Sequence, residues 1–113
     1  MPVAKNSSRS RARRAPLLPE AQLEVVARRF RVLGVPSRLR ILDTLMSGAL
    51  GMGELAEATG LEQSNLSRQV TELEREGCVV RRKHGRSVLV EIADPSLREL
   101  CALVCRAVEE RAR

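Results

Sequence analysis

Residues 60–77 read GLEQSNLSRQVTELEREG, a run closed by glycine at both ends. Leu66, Val70 and Leu73 recur at three- and four-residue steps and fall on one side of a helix. At about 100° per residue, the far side carries Ser64, Arg68, Thr71 and Arg75. An ordinary solvated face favours long Glu and Lys side chains, yet here Glu72, Glu74 and Glu76 appear only toward the C-terminal end. The leading half instead offers Gln63, Ser64, Ser67 and Arg68. Short hydroxyls and arginine suit a helix that sinks its first two turns into a groove about 12 Å wide.

Upstream, Gly53–Thr59 with Leu55 and Ala56 reads as a short helix turned at Gly60, so the pair forms a helix-turn-helix candidate. Glu20 opens an earlier helix whose Leu23, Val26, Phe30 and Leu33 share a face, and Gly34 ends it. Pro36 suits the first turn of the next helix, which carries Leu39, Ile41, Leu42 and Leu45 to Gly48. The segment SGALGMG reads as a glycine-rich joint. Downstream, the period changes from 3.6 to 2. Val79–Lys83 and Ser87–Ile92 flank HGR as a hairpin, with Gly77 as a left-handed cap before it. Asp94-Pro95 breaks the strand, and a final helix runs from about Leu97 to Arg111. The expected fold is mainly α with a β-hairpin wing: four helices, one hairpin, one helix.

Composition bounds the rest. The chain has 113 residues, enough for one domain, and 43% of them are hydrophobic. We expect a flexible basic tail over residues 1–19 and the folded domain over 20–113. Phe30 is the only aromatic residue, so the core must be aliphatic. A chain this short buries only about two-thirds of its unfolded surface, and pairing with a second copy would add burial. Three cysteines, an odd number, point to a reducing cytosol rather than a disulfide frame. No apolar run is long enough to span a membrane, and the basic N-terminus lacks the apolar segment of a secretory signal.

The net charge is +6, and its distribution is informative. Lys5, Arg9, Arg11, Arg13 and Arg14 crowd the tail with no acid, and Arg81, Arg82, Lys83 and Arg86 crowd the stretch from Cys78 to Val90 with none. Two basic patches on a nearly neutral body suggest a polyanion held at defined places. Arg82, Lys83, His84 and Arg86 surround the bend, where Gly85 supplies the positive φ of the turn. A lone His in such a turn fits a phosphate contact better than a metal site. No nucleophile–base set, glycine-rich phosphate loop or CxxC unit supports an enzyme.

Three segments, VLGVPSRLRIL, GELAEATGLEQSNLSRQVTELEREGCV and VVRRKHGRSVLVEIADP, resemble the ArsR/SmtB winged-helix regulators of bacteria, over about residues 20–110. The resemblance implies a cytoplasmic homodimer joined through first and last helices. It implies sequence-specific binding to a double-stranded DNA operator, usually repression relieved by a metal ion or other chemical signal. Gln63, Ser64, Asn65, Ser67, Arg68 and Gln69 occupy the recognition-helix positions, and Arg86 the basic position after the wing glycine. The expected DNA-contact set is these residues with Thr71, Arg82, Lys83 and His84. A winged-helix module that binds a partner protein, or activates only with one, is the competing expectation.

The departures are informative. Gly51, Met52 and Gly53 stand where many family sensors carry a Cys-x-Cys unit, and the last helix has no His, so neither usual metal site is present. We expect no required cofactor. Cys101 and Cys105 stand one turn apart in the last helix, with spacing suited to a soft ion or thiol modification as effector. They also continue the apolar stripe of Leu97, Leu100, Val104 and Val108, so plain packing is the competing reading. Cys78 reads as core.

Overall fold

The computed structural model describes residues 18–112; the tail expected over residues 1–19 lies almost wholly outside them. Among the described residues, five α-helices and a small sheet follow in order. Helix α1 spans Glu20–Leu33, α2 Pro36–Thr44 with a 3-10 turn at Leu45–Ser47, β1 Leu50–Gly51 and α3 Met52–Thr59. Then come α4 Gln63–Arg75, β2 Val79–His84, β3 Ser87–Ile92 and α5 Pro95–Ala112.

The boundaries have local causes. Val35 is extended because it precedes Pro36, and Pro36 opens α2 where its missing N–H costs nothing. Gly60 holds φ 76° between α3 and α4, a left-handed turn that its missing Cβ permits. At the end of α4, the Cys78 N–H donates to Leu73 O (2.9 Å) and the Gly77 N–H to Glu74 O (3.0 Å). With Gly77 at φ 76°, this is a Schellman closure, sealed by the buried Leu73 and Cys78.

The sheet is antiparallel in the order β1-β3-β2. Val79 faces Ile92 and Arg81 faces Val90, so the buried Val79, Val90 and Ile92 share the face of the hairpin root that docks on the helices, with Arg81 at its edge. Leu50 pairs with Val90 and Gly51 with Leu89. The stretch read as a glycine-rich joint therefore contains a third strand, which two residues are too few to announce by alternation.

The core is aliphatic apart from Cys78: Ile41, Leu42, Leu45, Leu55, Leu66, Val70 and Leu73 meet Cys78, Val79, Val90 and Leu97. The face predicted on α1 divides. Leu33 is buried, but Leu23 and Phe30 remain exposed, Phe30 at 56%. Leu103, Val104 and Val108 of α5 are exposed as well, Val104 at 52%. The periodicity identified an apolar face, but within one chain that face is only partly covered.

Asp94 begins α5 as its cap. Its carboxylate accepts the Ser96 hydroxyl (2.8 Å) and backbone N–H (3.0 Å), and pairs with Arg29 of α1 at 3.1 Å. These contacts, Ser96 first, hold the carboxyl below its ordinary value of 3.8. A lowered folded pKa stabilises above the unfolded value and is lost as pH falls through the folded one. Melting temperature should therefore fall more steeply below about pH 4 in the wild type than in Asp94→Asn, and the two curves should converge in acid.

Candidate nucleic-acid interface

Helix α4 is positioned by its inner side. Leu66, Val70 and Leu73 are each 0% exposed in the core, which fixes the rotation of the helix about its axis. That rotation turns Gln63, Ser64, Ser67 and Arg68 to the exterior, while Asn65, Gln69 and Thr71 are half-buried at its flanks. The Ser64 hydroxyl donates to Glu62 Oε1 at 2.8 Å, and Arg68 Nη2 donates to Asn65 Oδ1 at 3.0 Å. The first two turns thus carry short polar groups and one arginine, the chemistry able to meet base edges in a major groove.

Two α4 residues of the expected contact set are bonded to other elements of the fold. Thr71 Oγ1 accepts Arg81 Nη2 of β2 at 3.3 Å, so its hydroxyl faces the hairpin root. Gln69 is bonded on both sides: Oε1 accepts Arg38 Nε at 2.7 Å, and Nε2 donates to Asn65 Oδ1 at 3.3 Å. Helical spacing gives a direction away from the axis but not what another element places there. Arg81 and Arg38 were not in the expected set. Arg81 also donates to Glu74 Oε1 at 2.6 Å, so one guanidinium fastens β2 alongside α4 and sets the hairpin beside the reading helix. The basic run around the bend named Arg81, but its acidic partner on α4 gave no local signal.

At the hairpin tip, Arg82, Lys83, His84 and Arg86 are all exposed. His84 faces Ser87 across a two-residue bend, where Gly85 takes φ 65° and Arg86 keeps a negative φ. Glycine at the first bend position matches a type II′ turn, whose twist suits a tight hairpin. Arg82 donates to Glu91 Oε2 at 2.7 Å across the ribbon. Among the described residues, Lys83 and Arg86 enter no ion pair. Their charge faces solvent, where a phosphate backbone could meet it.

Cys101 and Cys105 lie elsewhere. They line an apolar recess of about 280 Å³ between α1, the start of α2 and α5, with Phe30, Leu33, Leu39 and Val104. Burial, then the neighbouring Cys105 and Asp43, raises the Cys101 thiol above its usual value, which favours the protonated form. Cys78 is fully buried, and burial raises its thiol too. No cluster of three or more His, Cys, Asp or Glu able to hold a metal ion occurs among the described residues. No described helix is long and apolar enough to cross a membrane.

Comparison with known proteins agrees with this geometry. The sequence model of the MarR family matches residues 36–87, from the start of α2 to the start of β3. The HTH-type transcriptional regulator NmtR of Mycobacterium tuberculosis is 41% identical over 86 residues, 76% of this chain and 71% of that protein. The regulator Rv0081 of the same organism is 41% identical over 75 residues, 66% of each chain. Its crystal structure superposes with a TM-score of 0.71, covering 84% of this chain and all of that one at 35% identity. A homodimeric winged helix-turn-helix DNA-binding domain from Mycobacterium bovis, of a proposed ArsR-family regulator, superposes with a TM-score of 0.77. It is 30% identical and covers 87% of this chain and 94% of that one. The winged helix-turn-helix and overall course are thus shared with proteins that regulate transcription and are not enzymes. The chain belongs to the winged helix-turn-helix transcriptional regulators of the ArsR/SmtB type.

Proposed function

We propose that the protein acts as a homodimer on a pseudo-palindromic DNA site, as a repressor released by a chemical signal. One observation carries the DNA half of this reading: α4 exposes a polar leading end, and Arg81 fastens its C-terminal half beside a hairpin whose Lys83 and Arg86 are free of ion pairs among the described residues. The exposed apolar stripe on α1 and α5 supports the dimer, as does the homodimeric state of the M. bovis domain. Twofold symmetry would set two reading helices about one turn of DNA apart. If each subunit neutralises about four phosphates, the slope of log affinity against log salt is about −7 for the dimer. Fluorescence anisotropy against a labelled duplex from the upstream intergenic region, repeated from low to high salt, measures it. A slope near zero sinks the reading, and dimers that ignore every duplex but co-purify with one protein would favour a partner-binding module instead.

The signal is the second half. Both α5 thiols line one recess against α1, so a soft ion or a thiol modification seated there would alter how α1 and α5 pack. Wild-type protein should lose DNA affinity at least about tenfold with such an effector, a coupling of ordinary size. Cys101→Ser with Cys105→Ser should abolish that response and leave basal affinity in place. Equal responses in both proteins, across soft metals, oxidants and persulfide, would reduce the thiols to packing.

A further inference from the structure

The polar atoms along one flank of α4 form a chain whose direction is fixed by its ends. Arg38 of α2 donates through Nε to Gln69 Oε1 at 2.7 Å, and through Nη1 to Val32 O at 3.3 Å. Gln69 Nε2 donates to Asn65 Oδ1 at 3.3 Å, and Arg68 Nη2 donates to the same oxygen at 3.0 Å. A guanidinium has only donors. Arg38 therefore forces the Gln69 oxygen toward itself and the Gln69 amine toward Asn65, and Arg68 makes the same demand from the other end. Reversing either amide would set donor against donor, so the orientation follows from chemistry.

The consequence lies on the reading face. Asn65 Oδ1 has two lone pairs and both are engaged, while both ends of Gln69 are engaged as well. Within this network the groups that Asn65 and Arg68 leave unbonded among the described residues are the Asn65 amine and the rest of the Arg68 guanidinium, all donors. In the major groove guanine offers two acceptors, N7 and O6. Adenine offers one acceptor and one amine donor, and its bidentate pairing with asparagine needs a free side-chain oxygen. Here that oxygen is committed.

We propose that Arg38, on α2 and outside the reading helix, is a specificity-determining positioning residue. Through Gln69 it holds the Asn65 oxygen inward and leaves Asn65 with Arg68 as a donor-only pair that selects guanine over adenine. This rests on the DNA-binding reading above and adds the base that the site prefers and the residue that sets the preference.

The test is selection of full-length wild-type, Arg38→Met, Arg38→Lys and Gln69→Met proteins against a randomised duplex library, followed by anisotropy on the enriched duplex. In that duplex each enriched guanine is replaced in turn by adenine. The wild type should enrich a half-site with a guanine whose replacement weakens binding about tenfold or more. In Arg38→Met and Gln69→Met the ratio should shrink to about twofold, because the Asn65 oxygen, held then by Arg68 alone, has a lone pair free to accept from adenine. Arg38→Lys still donates to Gln69 and should keep a larger ratio than Arg38→Met. The ratio is internal to each variant, so altered absolute affinity does not mask it. Gln69→Met changes no charge and reads the same relay if Arg38→Met fails to fold. An undiminished ratio in the methionine variants that bind, or a wild-type half-site that demands adenine and no guanine, overturns the relay while DNA binding stands. Enrichment of no sequence by the wild type would overturn the DNA-binding reading and the relay with it.

Discussion

Val104→Glu is expected to sediment as a monomer and to bind a duplex with two half-sites about a hundredfold more weakly than the wild type. Val104 lies half-exposed on α5, in the recess that also holds Phe30 and Leu39. Full burial of one such side chain contributes about 1.5–3 kcal/mol. Completing the burial of Leu23, Phe30, Leu39, Leu103, Val104 and Val108 therefore yields on the order of 5–10 kcal/mol per protomer, twice that for the pair, since each is already about half covered. Association costs on the order of 4–15 kcal/mol, so gain and cost are of similar size. A carboxylate placed in the middle of that stripe must lose its water or hold the helices apart, and either outcome tips the balance. Without the partner, two half-sites no longer act together, a loss of about a hundredfold or more. Sedimentation velocity and anisotropy on one sample check both effects. A dimeric Val104→Glu with normal affinity would place the interface elsewhere.

The second large effect concerns stability. Leu66 is wholly buried where α4 meets the core, so Leu66→Ala leaves a cavity under the reading helix. Such truncations cost about 2–5 kcal/mol. Domains are stable by only about 5–15 kcal/mol, so the variant should lose about a third of its margin. Its melting temperature should fall by about 8 °C or more. Calorimetry decides it, and a shift within a degree or two would mean that Leu66 does not anchor α4.

Much of this architecture was legible in the sequence because its causes are local. The period of Leu66, Val70 and Leu73 set the rotation of α4, and Gly77 and Gly85 marked conformations that a Cβ makes costly. The same period on α1 was correct about direction, yet it could not tell whether Phe30 is covered by its own chain, because one helix carries no record of its neighbours. β1 was missed since Leu50 and Gly51 form a strand only by pairing with Val90 and Leu89, far along the chain. Arg38 was missed for a like reason: it looks like a polar position on an amphipathic helix until Gln69 is brought against it. Thr71 was assigned outward by helical spacing, and Arg81 meets it there.

The central claim is that the leading end of α4 and the hairpin tip together face duplex DNA. The most direct measurement is an NMR titration of ¹⁵N-labelled protein with a short mixed-sequence duplex at low salt, where non-specific binding is still accessible. Amides and side chains of Gln63, Ser64, Ser67 and Arg68, and of Lys83 to Arg86, should shift first and most, with Leu103 to Val108 on α5 nearly unmoved. Shifts concentrated on α5 with α4 and the hairpin silent would contradict it.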